Sequence, residues 1–330
     1  MAGLAAARRL HDAGVDVRVL DKSRGLGGRC ATRRVRGRTV DHGAPFLHGR
    51  DPELLALAQA VPGPRRDGWP ERVVGSGAPC HPDSFAPGGF RCAWPAGMTA
   101  LAKHLGRDLQ VDRQQHVEAL AVEGERWVVT TRAGARVAAR ELVMALPVEQ
   151  ALVLLESLDA PRALAPAKTV LGWFLTEPAL SLLAGYPEGL PAPGFDVHLP
   201  PRHPVLQQIV HDSAKRPGDG GGPVLVLHAR PEWSAAWLER PLEEVAEALL
   251  TAAADVVGPW AAAPEWSVPH RWRYARVPAG LGLAAPLRME VEGRPLVLTG
   301  EVFDRAGGLE GAWRAGRAAA HLLLNPGDET

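Results

Sequence analysis

Apolar positions along this chain switch repeatedly between two periods. Residues 2–13 (AGLAAARRLHDA) set Leu4, Ala7 and Leu10 on one helical face and stop at Gly14. Val15, Val17 and Val19 then alternate with polar residues, which predicts a strand running to Leu20. Further helices are predicted over 51–59, from Met98 to Leu105, and over 148–158, 241–256 and 308–324. Strands are predicted within 117–131, over 136–146, near 168–176 and 223–229, and over 295–299. Residues 61–90, rich in Pro, Gly and Arg, read as irregular. The pattern changes from about residue 160 to 275, a stretch that holds most of the tryptophans. The fold class is therefore α/β, with one domain made of both chain ends and an α+β domain inserted between them. The opening helix feeds a strand at the spacing of a βαβ unit, yet no strand precedes that helix.

Composition narrows the partners. The chain of 330 residues has 37 basic and 37 acidic residues, so it has no net charge with which to attract nucleic acid or an anionic membrane. At 46% hydrophobic it can bury a sizeable core, but no apolar run reaches the ~18–20 residues of a membrane span. Arg8 and Arg9 interrupt the only N-terminal apolar stretch, which argues against a secretory signal. Three cysteines (Cys30, Cys80, Cys92) with no CxxC pair argue against disulfides or a zinc site, and for a cytoplasmic enzyme without a metal. Only Lys22, Lys103, Lys168 and Lys215 are lysines, so arginine clusters here reflect a general bias as much as a site.

The candidate chemistry begins at the N-terminal end. Gly3 opens the first helix and Asp21 ends the strand 18 residues later. In a dinucleotide fold the last glycine of GxGxxG lets that helix pack on the sheet, and an acid about 20 positions on bonds ribose hydroxyls. The alternative is an ordinary helix–strand pair. Asp21-Lys22-Ser23-Arg24-Gly25-Leu26-Gly27-Gly28-Arg29 adds three glycines within four residues, flanked by arginines, which suits a pyrophosphate. Other constellations are weaker: there is no GxSxG elbow, and His42 and His48 have no metal-pair spacing. Lys168 reads as a boundary lysine, and His211-Asp212 with Lys215-Arg216 as a solvated loop. Gly218–Gly222 is a flexible connection.

The run DKSRGLGGRCATRR at 21–34, DHGAPF at 41–46, WPAGM at 94–98 and ELVMALP at 141–147 resemble the flavin-binding region of amine-oxidase-type flavoproteins. LHARPEWS at 227–234, HRWRYARVP at 270–278 and the segment 298–323 continue the likeness, more narrowly to their bacterial renalase-like branch. The resemblance implies an FAD-binding Rossmann-like domain over 1–60, 95–160 and 276–330, and a substrate domain over 61–94 and 161–275. It implies that Asp21 holds the adenosine ribose with Lys22 beside it, that Gly28 and Arg29 run along the pyrophosphate towards the flavin, and that Gly3 packs the first helix on the sheet. Ala44 would lie near the isoalloxazine, Val117 near adenine, and Gly300 and Glu301 near the ribityl phosphate. Phe46, His270, Trp272 and Tyr274 are substrate-pocket candidates; for the last three the alternative is a packed strand with an aromatic stripe. No cysteine lies beyond Cys92 to form the family's C-terminal thioether, so FAD is expected to be noncovalent.

Relatives begin with a strand and a complete GxGxxG. This first strand and the first part of the motif are missing here, and the expectation is a start assigned roughly 10–15 residues late. The implied function is an FAD-dependent oxidase that takes hydride onto flavin N5 and is reoxidised by oxygen to give hydrogen peroxide. Its implied substrate is a small reduced molecule such as an isomeric dihydronicotinamide dinucleotide. Two alternatives stand beside it: a flavin amine oxidase or desaturase, and a truncated relative that binds no FAD. No catalytic side chain is singled out.

Overall fold

The computed structural model describes residues 1–278 and 280–327. The chain divides into two compact units. The first comprises Met1–Gly28, Ala102–Thr176 and the segment from Arg276 on; the second comprises Arg29–Leu101 and Glu177–Ala275. The expected boundaries lie elsewhere: residues 29–60 and 95–101 belong to the second unit, and residues 161–176 to the first. Two physical causes are visible. Buried charges tie Asp41 to residues 212–216, and Leu164, Ala167 and Leu171 sink into the core of the first unit.

In the first unit the helix Ala2–Asp12 buries Leu4, Ala5, Ala6, Ala7 and Leu10. It packs on the last helix, Gly308–Leu324, through Ala6, Leu10 and Ala320. Gly316 permits that approach, because a Cβ there would stand 2.2 Å from the Ala2 carbonyl oxygen. The strand Arg18–Asp21 pairs in parallel with Gln110–Arg113. Leu142–Met144 pairs in parallel with Arg294–Leu298, which takes Leu287–Val291 on its other side antiparallel. Val117–Glu123, Arg126–Thr131 and Arg136–Ala139 form an antiparallel meander. Its Trp127 is fully buried and satisfies its indole N–H on the Pro295 carbonyl at 2.8 Å.

The strand expected near 168–176 is instead the helix Pro161–Leu171, with the strand Glu177–Gly185 following it. Thr169 and Val170 favour a strand locally, but Leu164, Ala167 and Leu171 fall on one helical face and are buried together. Pro161 starts the helix where its missing N–H costs nothing.

The second unit is organised by a six-stranded sheet. Its strands run in the order Trp266–Arg276, Glu177–Gly185, Val224–Ala229, Leu206–His211, Val197–His198 and Val73–Val74. One face buries Leu180, Leu182, Leu225, Leu227 and Ile209 against Val245, Leu249 and Ala253 of the helix Leu242–Val257. Strand alternation turns Ser181, His228 and Gln208 to the opposite face, and the register places them side by side. Residues 61–90 are largely irregular, with the short strands Arg66–Asp67 and Val73–Val74 and one turn of 3-10 helix at Pro82–Phe85.

Candidate active site

In the first unit, Gly3 sits against the strand end at Ala145, where an added Cβ would lie 3.1 Å from the Ala145 Cβ. Asp21 closes its strand, and one carboxylate oxygen accepts the Ser23 amide at 2.8 Å. The Asp21 carbonyl accepts the Gln115 amide at 2.9 Å, which brings the approach to Val117 alongside Asp21. Lys22 lies beside it with its pKa lowered by partial burial, against which the Asp21 charge works. Gly28 adopts a φ of 54°, a left-handed conformation in which a side chain would be strained.

At the other parallel pair, the Thr299 amide bonds the Met144 carbonyl at 3.0 Å. Gly300 follows with a φ of 151°. The buried Glu301 accepts the Gly308 amide at 2.9 Å, placing its carboxylate at the positive end of the last helix. The Thr299 hydroxyl is buried and has no hydrogen-bond partner among the described residues. Buried polar atoms are nearly always paired, so this oxygen is available to a bound group. Asp21, Gly3, the left-handed glycines and this hydroxyl together fit a dinucleotide such as FAD.

In the second unit, Arg29 donates from Nη1 to the Ala275 carbonyl at 3.1 Å, and its own carbonyl accepts the Ala44 amide at 2.9 Å. Gly43 makes this possible, since a Cβ there would fall 1.9 Å from the Arg29 oxygen. The Trp272 indole N–H donates to the His42 carbonyl at 3.2 Å. The His42 ring stacks on Trp272 with centroids 5.3 Å apart and meets His270 edge-on at 4.7 Å. Burial, then the charges of His270 and Arg33, push the His42 pKa down to about 3. Burial and Arg33 push His270 down to about 4. Both rings are therefore neutral at ordinary pH.

Tyr274 shares the alternating face of His270 and Trp272 on the strand Trp266–Arg276. Phe46 does not join this group. It packs with Trp69, Phe85 and His48, at centroid distances of 5.7 to 5.9 Å.

Sequence reasoning missed a charged quartet. Asp41, Asp212, Lys215 and Arg216, the last three expected to be solvated, are all buried. Lys215 bonds Asp41 at 2.8 Å and Asp212 at 2.7 Å, and its ammonium lies 4.8 Å from the centre of the Trp69 ring. Arg216 bonds the same two carboxylates at 2.9 and 2.6 Å and donates to the Pro95 carbonyl at 2.8 Å. Asp41 also accepts the Met98 amide at 2.8 Å. Burial raises the Asp41 pKa, but Lys215 and Arg216 outweigh it and hold the group below the usual carboxylate value. Two charges of each sign satisfy one another, which is why the set tolerates burial. The available signal was the spacing Asp212, Lys215, Arg216, which puts three charges on one turn.

Over residues 1–76 and 66–324 the sequence matches the family described as flavin containing amine oxidoreductase. The chain belongs to that family. It is accordingly an FAD-dependent oxidoreductase. Solved structures agree on the fold. Cyclohexylamine oxidase from Brevibacterium oxydans matches with a TM-score of 0.74 at 14% identity, covering 99% of this chain and 97% of that one. Wild-type putrescine oxidase bound to putrescine matches with a TM-score of 0.67 at 15% identity, covering 98% and 96%. Among the described residues of this flavoprotein, no helix is long and apolar enough to cross a membrane.

Proposed function

We propose that this family member is an FAD-dependent oxidase of the renalase-like branch, acting on a small reduced substrate such as an isomeric dihydronicotinamide dinucleotide. When bound, FAD supplies an acceptor for hydride and a donor of electrons to oxygen, with hydrogen peroxide as the reduced product. In the first unit Asp21 takes the ribose hydroxyls on its free carboxylate oxygen. Gly3, Gly28 and Gly300 let backbone approach the cofactor, and the Thr299 hydroxyl donates to it. Lys22 and Val117 serve the adenosine end and Glu301 orders the start of the last helix. The resemblance also assigns Arg29 and Ala44 to the cofactor, and substrate is bound through His270, Trp272 and Tyr274. The reaction as proposed removes hydride from carbon and asks no side chain to act as general base. The cofactor is held noncovalently, and this oxidase works in the cytoplasm.

The observation that carries this reading is the unpartnered Thr299 hydroxyl beside Gly300 in a chain of this family. The test is a visible absorption spectrum of the purified chain, with peroxide release measured on dihydronicotinamide dinucleotides and on primary amines. Flavin bands with turnover of the dinucleotides support the proposal, and a chain purified without flavin overturns it. A second reading, an amine oxidase, is favoured by the likeness to cyclohexylamine oxidase and putrescine oxidase, and turnover of amines alone would establish it.

A further inference from the structure

The hairpin of Thr32–Val35 with Arg38–Asp41 has two chemically different faces. Its register pairs Thr32 with Asp41 and Arg33 with Val40. Thr32 and Asp41 share one face and bond one another, and Asp41 belongs there to the buried quartet. The His42 amide continues the ladder onto the Ala31 carbonyl at 3.2 Å, so alternation assigns His42 to the other face, with Val40 and Arg33. That second face meets the strand Trp266–Arg276 through the rings of His270 and Trp272.

Several of the charges around this face are engaged elsewhere. Arg271 and Arg273 point to the opposite side of their strand, where Arg271 donates to the Arg240 carbonyl at 2.6 Å and Arg273 pairs with Glu239. Lys215 and Arg216 are matched by Asp41 and Asp212, so the quartet adds no net charge. Arg33 is half-buried, and its guanidinium makes no hydrogen bond or ion pair among the described residues. Its charge is felt at both His42 and His270. Its guanidinium is partly exposed and unpaired, so its N–H donors stay open to an arriving anion. A second unsatisfied group points the same way. His42 is 5% exposed, and its Nδ1 has no hydrogen-bond partner among the described residues.

We propose that Arg33, with His42, His270 and Trp272, forms an anion-recognition site that takes a carboxylate or phosphate carried by the substrate. The inference deepens the functional reading above and rests on it: the substrate class is anionic, not an ammonium ion. Arg33 binds the anion through its fork of N–H donors, and His42 offers Nδ1 as donor or acceptor according to its tautomer. The neutral rings of His270 and Trp272 wall the site without adding a competing negative charge. An amine in its protonated form meets an unpaired positive charge here and no carboxylate. A dinucleotide, through its phosphates, belongs to the class this site accepts.

The test is titration calorimetry of the purified holoprotein at low salt and near-neutral pH with four ring-matched probes: benzoate, phenyl phosphate, benzamide and benzylamine. The expected result is that at least one anion binds about tenfold more tightly than benzylamine, as one charge-assisted hydrogen bond gives. Arg33→Gln should weaken that anion about tenfold while leaving benzamide unchanged, and Arg33→Lys should recover part of the loss. The stronger anion identifies carboxylate or phosphate as the recognised group. Benzylamine binding as tightly as both anions, no anion binding at millimolar concentration, or anion affinity unchanged in Arg33→Gln would each overturn the proposal. A visible spectrum on the same samples keeps the two readings apart. Flavin lost with anion selectivity intact counts against the oxidase reading alone; flavin present with selectivity absent counts against this site alone.

Discussion

Lowering the pH should expose how strongly this fold depends on His42 staying neutral. In an unfolded chain the imidazole titrates near 6.5, and in the folded protein burial with the neighbouring Arg33 and His270 brings it to about 3. Above the unfolded value neither state carries the extra proton, and the full stability is present. As the pH falls from about 6.5 toward 3, the unfolded state takes up a proton that the native state refuses, so stability is lost across that window. At about pH 5 native His42 is still neutral while unfolded His42 is almost wholly charged, which is a loss of about 2 kcal/mol relative to pH 7.5 from this residue alone. His270 and His48, both lowered to about 4, add losses of the same sign. Substituting His42→Phe keeps a ring against Trp272 and removes the titration. Urea unfolding at both pH values should therefore show the wild type losing about 2 kcal/mol more than the variant on acidification. If the two proteins lose stability equally, the assignment of a buried neutral imidazole is wrong.

Lys215→Met leaves two buried carboxylates with Arg216 as their one cationic partner in the quartet, and should cost about 3–5 kcal/mol in urea unfolding. The exposed Lys103→Met should change almost nothing, and equal effects would refute the account. Gly316→Ala forces a Cβ toward the Ala2 carbonyl and should destabilise by about 1–3 kcal/mol, whereas Gly194→Ala, with open space around it, should not; thermal melts of the pair decide. Burial raises the Cys30 and Cys92 thiols to about 12, so iodoacetamide at mildly alkaline pH should label Cys80 in the folded protein and all three only in urea. Rapid native labelling of Cys30 would contradict its burial.

Helices of both units could be read directly from residue pattern. The helices Ala2–Asp12, Pro52–Ala60 and Leu242–Val257 lie within about a residue or two of where periodicity put them. Asp51 caps the second of these by accepting the Glu53 amide, the role its position before Pro52 suggests. The failures have a common cause. Helix Pro161–Leu171 was hidden because β-branched Thr169 and Val170 dominate the local signal, while its burial partners lie far along the chain. Strand Leu206–His211 is buried at every position and so offers no alternation to read. The quartet was misread for the same reason: Asp41 stands some 170 residues from its partners, so the local trio of Asp212, Lys215 and Arg216 shows one carboxylate for two cations and reads as solvated. The candidate site residues divide likewise. Gly3, Asp21 and Gly300 follow from short motifs, whereas the solitary charge of Arg33 emerges only when the faces of two distant strands are assigned.

The quartet has a further consequence for the loop that follows it. Residues 217–221 are exposed and mostly glycine. On one side Arg216 is pinned by two carboxylates, and on the other Gly222 is wedged against the carbonyls of Tyr186 and Pro187, with Arg38 donating to its oxygen at 3.3 Å. Both ends of the loop are therefore fixed by contacts that take nothing from its middle. Lengthening such a connection costs only about 0.6 kcal/mol for each doubling of its length. The fold thus contains a ready splice point, where an affinity tag or a small reporter domain could be carried between Gly218 and Gly221 with both units left intact.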